Sequence, residues 1–470
     1  MLLQHSAEWA DQSIFHPVSL AAVLCLGLAT LVVDRARALL PMIVITCFIT
    51  VAQRVVVGGF DFTVMRLMLF FGWTRVLVRG ELGAFRWRGL DTAVVLWAAA
   101  TCVGYVAMHA QHGTAGSAVT NRLGWLMDNV GIYFLFRVLL RDWEDVVRFT
   151  RWLALLAVPL LFFFAFERVT HTNLFGFLGG VLKQAWIREG RIRCQGSFSH
   201  PILAGCFWSG VLPLLVALIR TPRLRGRGVA IVGALAATAI ILHTASSTPI
   251  MAIVFTAMGT MMYPLRGYMR YLRWALVIGP VLLHMVMKKP VWHLIARVNV
   301  VGGSTGWHRF HLIDQCIRHF SDWWLCGVLE TGYWGRGLDD VTNFFVLQAA
   351  SAGLFCLLGF VLVLVFAFRS VSRIMRGTDH LLTYMLAWQL GVCLFVHCMN
   401  FIAVSYAHKP LVLFYLTLAA LASIESGVSV RQERQIWQAR NAALRARVLG
   451  ESDGPEREAA AAERSGVGSR

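Results

Sequence analysis

The chain has 470 residues, of which 57% are hydrophobic and only 14% are charged, and its mean hydropathy is +0.63. Soluble globular proteins carry about 25% charged residues, so this composition excludes an ordinary soluble domain and indicates a helical membrane protein. A formal net charge of +18 is also typical of nucleic-acid binding. The arginines, however, fall mostly in alternate short loops, as the positive-inside rule predicts, and we expect no nucleic-acid partner.

The apolar runs define the predicted fold, an all-α polytopic transmembrane bundle of about 12–13 spans. Each run has close to the length that a bilayer requires, roughly 17–25 residues. The runs, with approximate edges, are 18–33, 38–57, 62–78, 90–110, 122–140, 151–168, 201–219, 228–243, 249–263, 271–287, 341–368, 381–404 and 406–424.

Arginine placement predicts the orientation of the spans. One set of loops is rich in Arg, whereas the alternate set, 58–61, 111–121, 244–248 and the region near 405, holds almost none. The Arg-rich set is therefore cytoplasmic, with the N-terminus outside and the C-terminus inside. Its arginines are Arg35, Arg37, Arg79, Arg86, Arg88, Arg141, Arg148, Arg151, Arg220, Arg223, Arg225, Arg227, Arg266, Arg270, Arg273, Arg369, Arg373 and Arg376.

The two ends of the chain add little to the membrane domain, which we place at 1–424. The start, MLLQHSAEWADQSIFHP, lacks the positive segment of a cleavable signal peptide, so we expect a short outside tail. Residues 431–449 predict a basic amphipathic helix on the inner membrane surface. The last twenty residues lack large apolar groups and predict disorder. Residues 425–470 therefore form a predicted cytoplasmic tail without catalysis.

Two long outer loops, 169–200 and 288–340, break the charge pattern. They carry Lys183, Arg188, Arg191, Arg193, Lys288, Lys289, Arg297, Arg309, Arg318 and Arg336. Basic residues kept on the outer side favour an anionic ligand there, because their placement works against the orientation of the spans. The alternative is a pair of solvated loops that contact lipid headgroups.

Several polar residues lie near the outer ends of the predicted spans. An Arg inside a span is costly and is a candidate functional residue. Simpler interpretations remain open: Asp128 pairs with an Arg, and His397 is a buried, hydrogen-bonded histidine. The shared depth of the group nevertheless predicts a polar cavity open to the outer side. Its members are Arg54, Arg66, Asp128, His397, Asn400, His408 and Lys409.

Motifs of soluble enzymes and metal sites are absent from the sequence. There is no GxxxxGKS/T loop, HExxH, GxSxG or CxxC pair. Asp339 and Asp340 are adjacent, and adjacent side chains diverge, so they suit a shared metal poorly. We therefore expect neither a metal nor a cofactor. Of the ten cysteines, only Cys194, Cys316 and Cys326 fall in outer segments; a Cys316–Cys326 disulfide is an option that the spacing does not demand.

The segment RIRCQGSFSHP, residues 191–201, precedes the span that begins at Pro201. Proline suits the first turn of a helix, Gly196 permits a close backbone approach, and Arg193 would overhang the end of that span. An anchor to lipid phosphates is the alternative role for Arg193.

Four landmarks resemble those of the O-antigen ligase and polymerase superfamily. Residues 191–201 are similar to its R-x-x-G-x-F-x-x-P segment. HTASSTPIMAIVF, 243–255, resembles a span opened by a Ser-Arg pair, although this chain has Ser246-Ser247-Thr248 and lacks the Arg. STGWHRFHLIDQCIRHFSDWWLCGV, 304–328, resembles a stretch whose Arg falls on Arg309. DDVTNFFVLQAASAGLFCLL, 339–358, resembles a His-Asn pair before a span with a central Gly; Asn343 matches, but Thr342 replaces the His.

The resemblance implies a metal-independent GT-C type glycosyltransferase that takes a glycan from a polyprenyl diphosphate outside the inner membrane. A diphosphate leaving group needs fixed positive charge, which the arginine fork supplies. The hypothesis assigns catalysis to Arg193, Arg309, His308, His311 and Asp340, with Asp339 as an alternative acid. It assigns substrate binding to Arg54, Arg66, Arg191, His200, Asn343 and Trp324. Trp323, Trp324 and Trp334 either stack on sugars or anchor at the interface.

The missing family His favours a polysaccharide polymerase over an O-antigen ligase, which stays the alternative. A transporter of lipid-linked sugars would need polar groups through both leaflets, and these crowd the outer half. A structural subunit of an export complex is the third hypothesis. The expected partners are a polyprenyl-diphosphate-linked glycan, membrane lipid and other polysaccharide export components.

Overall fold

The computed structural model describes residues 13–57, 60–221, 226–297 and 306–448. Helices dominate this part of the chain, and its strands form two short hairpins. The helices of the first half are α1 (Pro17–Val32), α2 (Leu40–Phe48), α3 (Val64–Val78), α4 (Gly89–Gln111), α5 (Ala115–Leu126), α6 (Ile132–Leu139) and α7 (Trp143–Thr170). Those of the second half are α8 (Pro201–Arg220), α9 (Arg227–His243), α10 (Ser247–Met261), α11 (Met269–Val286), α12 (Gly306–Arg318), α13 (Phe320–Trp323), α14 (Phe344–Gly377), α15 (Leu381–Ala403) and α16 (Lys409–Val448).

The predicted all-α membrane bundle is confirmed at the level of its helices. Six helices in the described chain are apolar and long enough to cross a membrane: α4, α7, α8, α14, α15 and the part of α16 up to Ser429. A seventh span results if the bent pair Ser247–Met261 and Tyr263–Val286 counts as one. All thirteen apolar runs are helical for part of their length, but several helices are shorter than the runs that predicted them. The number of full-length spans is therefore lower than expected.

The run 38–57 shows why an apolar stretch overestimates a span. Its helix, α2, ends at Phe48, and polar side chains then tie the chain to another loop. Thr50 donates to the carbonyl of Gly179 at 2.7 Å, and Gln53 donates to the carbonyl of Leu178. The chain next forms an antiparallel hairpin, β1 (Arg54–Val57) with β2 (Phe60–Thr63). Paired carbonyls and amides in the hairpin replace the helix that hydropathy alone predicted.

The predicted span 122–140 is helical but irregular. Helices α5 and α6 are joined by a π-helical segment, Met127–Gly131, in which Asn129 is buried. Such segments commonly occur at functional sites. Tyr415 of α16 donates a hydrogen bond to the side chain of Asn129 at 2.5 Å. The irregular turn is thereby fixed to the centre of the bundle.

Helices α8 and α16 form the centre of the bundle. In their most apolar windows, 83% and 89% of the residues are buried, against 39% for α4, α7 and α14. The other helices surround this pair, with α9 beside α7 and α8, and α14 beside α4. A helix that is apolar all round must be enclosed by other elements or by lipid. Because α8 and α16 are enclosed by other helices, they fix the positions of the loops at their ends.

One end of the bundle carries the hairpins and the long loops, and we call it the loop end. It contains residues 171–200, 244–248, 306–343 and 404–408. Helix α16 begins there at Lys409 and reaches Ser423 fourteen residues later, roughly 20 Å away. That distance separates the loop end from the opposite end.

Buried ion pairs close the opposite end. Asp91 accepts hydrogen bonds from Tyr133 at 2.6 Å and from Arg137 at 3.0 Å, and Arg137 also donates to Ser423 at 3.1 Å. All three partners of this acid network are less than 4% exposed. Removing one member of such a pair is strongly destabilising because it leaves a buried charge uncompensated. The network therefore fixes α4, α6 and α16 to one another.

Helix α14 is broken at Ala352 and Gly353, where Gly353 has a φ of +83°. The loop before α14 satisfies the freed backbone groups. Leu354 donates its amide to the carbonyl of Trp324 at 2.8 Å, and the amide of Val328 donates to Ala350 at 2.7 Å. A helix in a membrane can be interrupted only where such partners are present. The large loop is thus part of the bundle rather than an appendage.

Helix α16 continues without interruption from Lys409 to Val448. The segment expected to form a separate basic helix, 431–449, is therefore mostly a direct extension of the last span. The predicted tail 451–470, the start of the chain at 1–12, Arg223 and Arg225 lie outside the described residues.

Candidate functional site

Residues 191–200, which we call the arginine loop, are held by buried polar groups. Strand β3 (Trp186–Arg188) pairs with β4 (Arg191–Arg193), so the loop leaves the hairpin at Arg193. The two carboxylate oxygens of Glu167 accept from the amides of Gln195 and Gly196, at 3.0 and 2.9 Å. Asn173 donates to the carbonyl of Gly196 at 2.9 Å. These bonds fix the backbone of the loop before helix α8 begins.

Gly196 meets the requirement that the sequence predicted. Its φ is +56°, in the left-handed region that glycine adopts most readily. A Cβ at this position would lie 2.5 Å from Cε2 of Phe164. Both backbone conformation and close packing therefore demand glycine here.

Lys409, the first residue of α16, also holds the arginine loop. Its Nζ donates to the carbonyl and to the hydroxyl of Ser197, both at 2.7 Å, and lies 4.5 Å from the centre of the Phe198 ring. Lys409 is only 4% exposed, and no carboxylate pairs with it in the described chain. The sequence placed Lys409 among the polar groups of the outer end but gave no indication that Ser197 was its partner.

The structure brings Arg193 and Arg309 to the same helix N-terminus. Nη2 of Arg193 donates to the hydroxyl of Ser246 at 2.7 Å, and Nη2 of Arg309 donates to that of Thr248 at 3.1 Å. Ser246 is the N-cap of α10. Two residues span at most about 7 Å of chain, so the two anchor points are neighbours. Two arginines separated by 116 positions (309 − 193) in the sequence therefore meet at one place.

The charges of these two arginines are not neutralised by acids. Nε of Arg309 donates to the carbonyl of Ala403 at 3.3 Å, and Nε of Arg193 has no hydrogen-bond partner. Neither guanidinium forms an ion pair within residues 13–57, 60–221, 226–297 and 306–448. Arg193 is also 8% exposed. A buried, partly unpaired guanidinium beside a helix N-terminus is an arrangement suited to an anion.

Burial shifts the pKa values of both arginines more than any neighbouring charge does. Burial lowers the pKa of Arg193 to about 10; Arg188 lowers it further, and Glu189 partly offsets the change. Burial likewise lowers the pKa of Arg309, with Arg188 again adding to the effect while Cys206 opposes it. A bound anion would stabilise the charged forms.

His200 joins this cluster as a neutral ring. Its Nδ1 accepts from the amide of Ile202 at 3.2 Å, which caps α8. Burial lowers the pKa of His200 to about 3, and the nearby Arg193 and Arg188 contribute. Because Nδ1 is an acceptor, the ring proton resides on Nε2. His200 can therefore donate a hydrogen bond but is poorly suited to accept a proton.

His308 is the histidine best placed to accept a proton. Its Nε2 lies 3.2 Å from the carbonyl oxygen of Asp340. A carbonyl only accepts, so the neutral ring carries its proton on Nε2 and keeps the lone pair of Nδ1. Asp340 contributes a backbone carbonyl to this contact. His311 instead stacks on Trp307, with ring centres 4.8 Å apart.

Arg54 and Arg66 differ from Arg193 and Arg309 because each is paired with an acid. Arg54 lies 3.0 Å from a carboxylate oxygen of Asp61. Arg66 binds Asp128 through two bonds of 2.9 and 2.6 Å. The simpler interpretation of Asp128 is thus confirmed. A substrate phosphate would have to displace these carboxylates. The structure therefore does not support the predicted role of Arg54 and Arg66 in binding the substrate.

The remaining predicted binding residues divide into structural and exposed groups. Asn343 caps α14 by accepting from the amides of Phe345 and Val346, at 2.9 and 3.0 Å, and it donates to the carbonyl of Ile402 at 3.0 Å. Both polar atoms of its side chain thus have backbone partners, which is a structural role. Arg191 is exposed at the second hairpin. The predicted contacts of both residues with substrate stay predictions.

The tryptophans of the large loop are not equivalent. Trp323 is buried and donates to the carbonyl of Cys316 at 2.7 Å, and Trp334 is buried against His319. Trp324 is 42% exposed. Of the three, Trp324 alone retains a surface for stacking on a sugar.

The remaining sequence predictions concern the cysteines and His397. All cysteines in the described chain are free, so the optional Cys316–Cys326 disulfide is not formed. Within the described residues, no three His, Cys, Asp or Glu side chains are grouped as metal ligands would be. His397 is buried with its Nδ1 3.2 Å from the hydroxyl of Tyr406, as the simpler interpretation predicted.

The four sequence landmarks converge at the loop end. Segments 191–201 and 304–328 contact segment 243–255, through the bonds of Arg193 to Ser246 and of Arg309 to Thr248. Segment 304–328 also contacts segment 339–358, where His308 lies against the carbonyl of Asp340. Comparison of the chain with models of known protein families gives no match, and comparison with curated proteins gives no similar sequence. The chemistry of this site therefore rests on its own geometry.

Proposed function

We propose that the chain is a polysaccharide polymerase-type glycosyltransferase of the bacterial inner membrane, with a GT-C-like architecture. It joins undecaprenyl-diphosphate-linked glycan units at the outer face of the membrane. The observation that supports this most is the convergence of Arg193 and Arg309, each without a carboxylate partner in the described chain, on the N-terminus of α10. Two guanidinium groups held at one helix N-terminus match the charge of a diphosphate.

The proposed reaction is a direct, inverting transfer to a hydroxyl group. A hydroxyl oxygen of the acceptor glycan attacks the anomeric carbon of the donor, and the bond from that carbon to the diphosphate oxygen breaks. The electron pair of that bond leaves with the diphosphate. Arg193 and Arg309 stabilise the negative charge as it develops, which is the kind of electrostatic contribution that dominates many enzymes. No metal ion takes part.

His308 is the proposed acceptor of the hydroxyl proton. Its Nδ1 keeps a lone pair because Nε2 faces the carbonyl of Asp340. His311 and Asp340 are less favoured for this role, because the ring of His311 stacks on Trp307 and the visible contact of Asp340 uses its backbone. Trp324 is the proposed stacking surface for a sugar.

We also propose the orientation that the arginines predict, with the loop end outside and α16 leading into the cytoplasm. The predicted 12–13 crossings would require the shorter helices to cross as well, among them α1 and α9. Other polysaccharide export components would be its partners on the outer side. The buried acid network at Asp91 places polar groups at the inner end as well, so the transporter hypothesis is decided by the detergent assay below rather than by the depth of the polar groups.

The ligase hypothesis stays open for a specific reason. The family His is replaced by Thr342, but His308 contacts the same loop at Asp340. An imidazole is therefore present close to the position at which a ligase would need it. The two enzymes differ in the acceptor, a carrier-linked glycan for a polymerase and a lipid or protein for a ligase.

Lipid-linked intermediates in a deletion strain distinguish the two. A polymerase leaves single repeat units on the carrier, whereas a ligase leaves finished chains. Purified protein in detergent provides the second test, with undecaprenyl-diphosphate-linked glycan as the substrate. Product formed without a second compartment supports an enzyme, and its absence with a verified substrate contradicts the proposal.

A further inference from the structure

A cleft of about 330 Å³ lies at the end of the bundle opposite to the arginine loop. It is formed where α14 and the apolar part of α16 end, at Gly377 and Ser429. Its lining consists of Arg373, Ile374, Arg376, Gly377, Glu425, Val428 and Ser429. The ends of two apolar helices lie at the depth of lipid headgroups when the helices cross a bilayer.

The charges in this cleft are incompletely paired. Arg373 donates to Oε1 of Glu425 at 3.0 Å, while Oε2 of Glu425 has no hydrogen-bond partner in the described chain. Glu425 is only 5% exposed, so water reaches that oxygen poorly. A buried carboxylate oxygen without a partner is costly. It therefore marks a position for a donor that the protein does not supply.

The two arginines offer a separate position for an anion. Arg373 and Arg376 lie three residues apart on α14, which places them on one face of the helix. Both side chains are exposed; Nε of Arg376 donates to the carbonyl of Ser372 at 3.2 Å, and Arg373 is paired with Oε1 of Glu425. The cleft thus combines two exposed arginines with a buried acceptor for a cation. The C-terminus of α14 adds partial negative charge beside that acceptor.

We propose that this cleft binds a zwitterionic lipid with a phosphoethanolamine headgroup. The phosphate lies against Arg373 and Arg376, and the primary ammonium donates to Oε2 of Glu425. Val428, which is partly exposed, contacts the glycerol and the first acyl carbons. A quaternary choline group has no N–H to donate, and a glycerol headgroup has no positive charge, so the acid selects the primary amine. This site is independent of the proposed glycosyl transfer.

Native mass spectrometry of the full-length protein in detergent tests the proposal. Phosphatidylethanolamine, phosphatidylcholine and phosphatidylglycerol are added in turn, at equal concentrations. One charge-assisted hydrogen bond corresponds to about tenfold in affinity, so we expect about tenfold tighter binding of phosphatidylethanolamine than of phosphatidylcholine. Glu425→Gln should abolish this preference, because the neutral amide no longer attracts the ammonium.

Arg376→Gln provides a second test and should weaken binding of all three lipids. Arg369→Gln is the matched control: it lies on the same helix but outside the cleft, against Phe366, and should bind as the wild type does. Equal binding of the three lipids by the wild type would overturn the proposal. So would an undiminished preference in Glu425→Gln. If soluble phosphoethanolamine displaces the lipid at equal concentration, the ligand is a free phosphoamine and the lipid assignment is wrong.

Discussion

Replacing Arg193 by Gln tests the role of the arginine loop. The substitution removes the charge, the unpartnered Nε donor and the bond from Nη2 to Ser246, because the Gln side chain is two bonds shorter. The loop itself stays in place, because Glu167 and Lys409 hold its backbone independently of Arg193. A loss of turnover in this variant therefore reports the missing charge rather than a collapsed site.

The expected magnitude follows from the number of donors lost. One charge-assisted hydrogen bond contributes about 1.5–3 kcal/mol, and removing one donor from a developing oxyanion lowers kcat by about 10²–10³. We therefore expect Arg193→Gln to lose about 10²–10³ in turnover and Arg309→Gln to lose a similar factor. Because both arginines act on one diphosphate, the double variant should lose much less than the product of the two factors.

The assay is polymer formation by purified protein from undecaprenyl-diphosphate-linked glycan, in wild type, both single variants and the double variant. Arg318→Gln is the matched control, since Arg318 is an exposed residue on the same helix as Arg309 and pairs with Asp314. We expect this control to have wild-type turnover. Losses below threefold in both single variants, or a double loss equal to the product of the single losses, would refute the shared role.

Three other outcomes concern the loop that carries Arg193. Gly196→Ala should destabilise the protein by about 1–3 kcal/mol, lowering its thermal unfolding midpoint, because of the positive φ and the contact with Phe164; an unchanged midpoint would contradict this. The pKa of His200 is about 3 in the folded protein and about 6.5 in the unfolded chain. Below about pH 6.5 the unfolded chain therefore binds more protons than the folded protein, and the free energy of unfolding falls as the pH falls. His200→Asn keeps a helix cap and should lose less stability between pH 7 and pH 5 than the wild type; equal losses would count against the buried neutral ring. Lys409→Met removes the bonds to Ser197 and should lower turnover with Arg193 intact; normal turnover in a folded variant would show that the loop needs no such support.

The class of fold was predictable from the sequence because hydropathy reports directly on burial in lipid. The extent of each helix was less predictable. The run 38–57 is apolar throughout most of its length, yet Thr50 and Gln53 form hydrogen bonds with a loop about 125 residues away in sequence. Bonds to distant partners leave no periodic signal in the sequence. The same reason applies to the break in α14, where Trp324 supplies the carbonyl that replaces a helical partner.

In the candidate site, too, some residues were predictable from the sequence and their partners were not. Arg193 and Arg309 were identifiable because positive charge in predicted outer loops runs against the predicted orientation of the spans, and because the family resemblance singles out these two among the basic residues of those loops. The residues that hold them were not identifiable from the sequence. Ser246 and Thr248 lie at the segment that resembles the family's Ser-Arg pair. The hydroxyl of Ser246 accepts from Arg193, and that of Thr248 accepts from Arg309. Conversely, Arg54 and Arg66 were grouped with the arginines of the site, because the depth of a residue in a span does not identify Asp61 as a partner and does not decide between the two interpretations of Asp128.

A structure of the full-length protein with bound undecaprenyl diphosphate tests the central claim most directly. The account predicts phosphate oxygens about 3 Å from guanidinium nitrogens of both Arg193 and Arg309, with the lipid tail leaving the loop end toward the membrane. A diphosphate bound elsewhere, or in contact with only one of the two arginines, would contradict it.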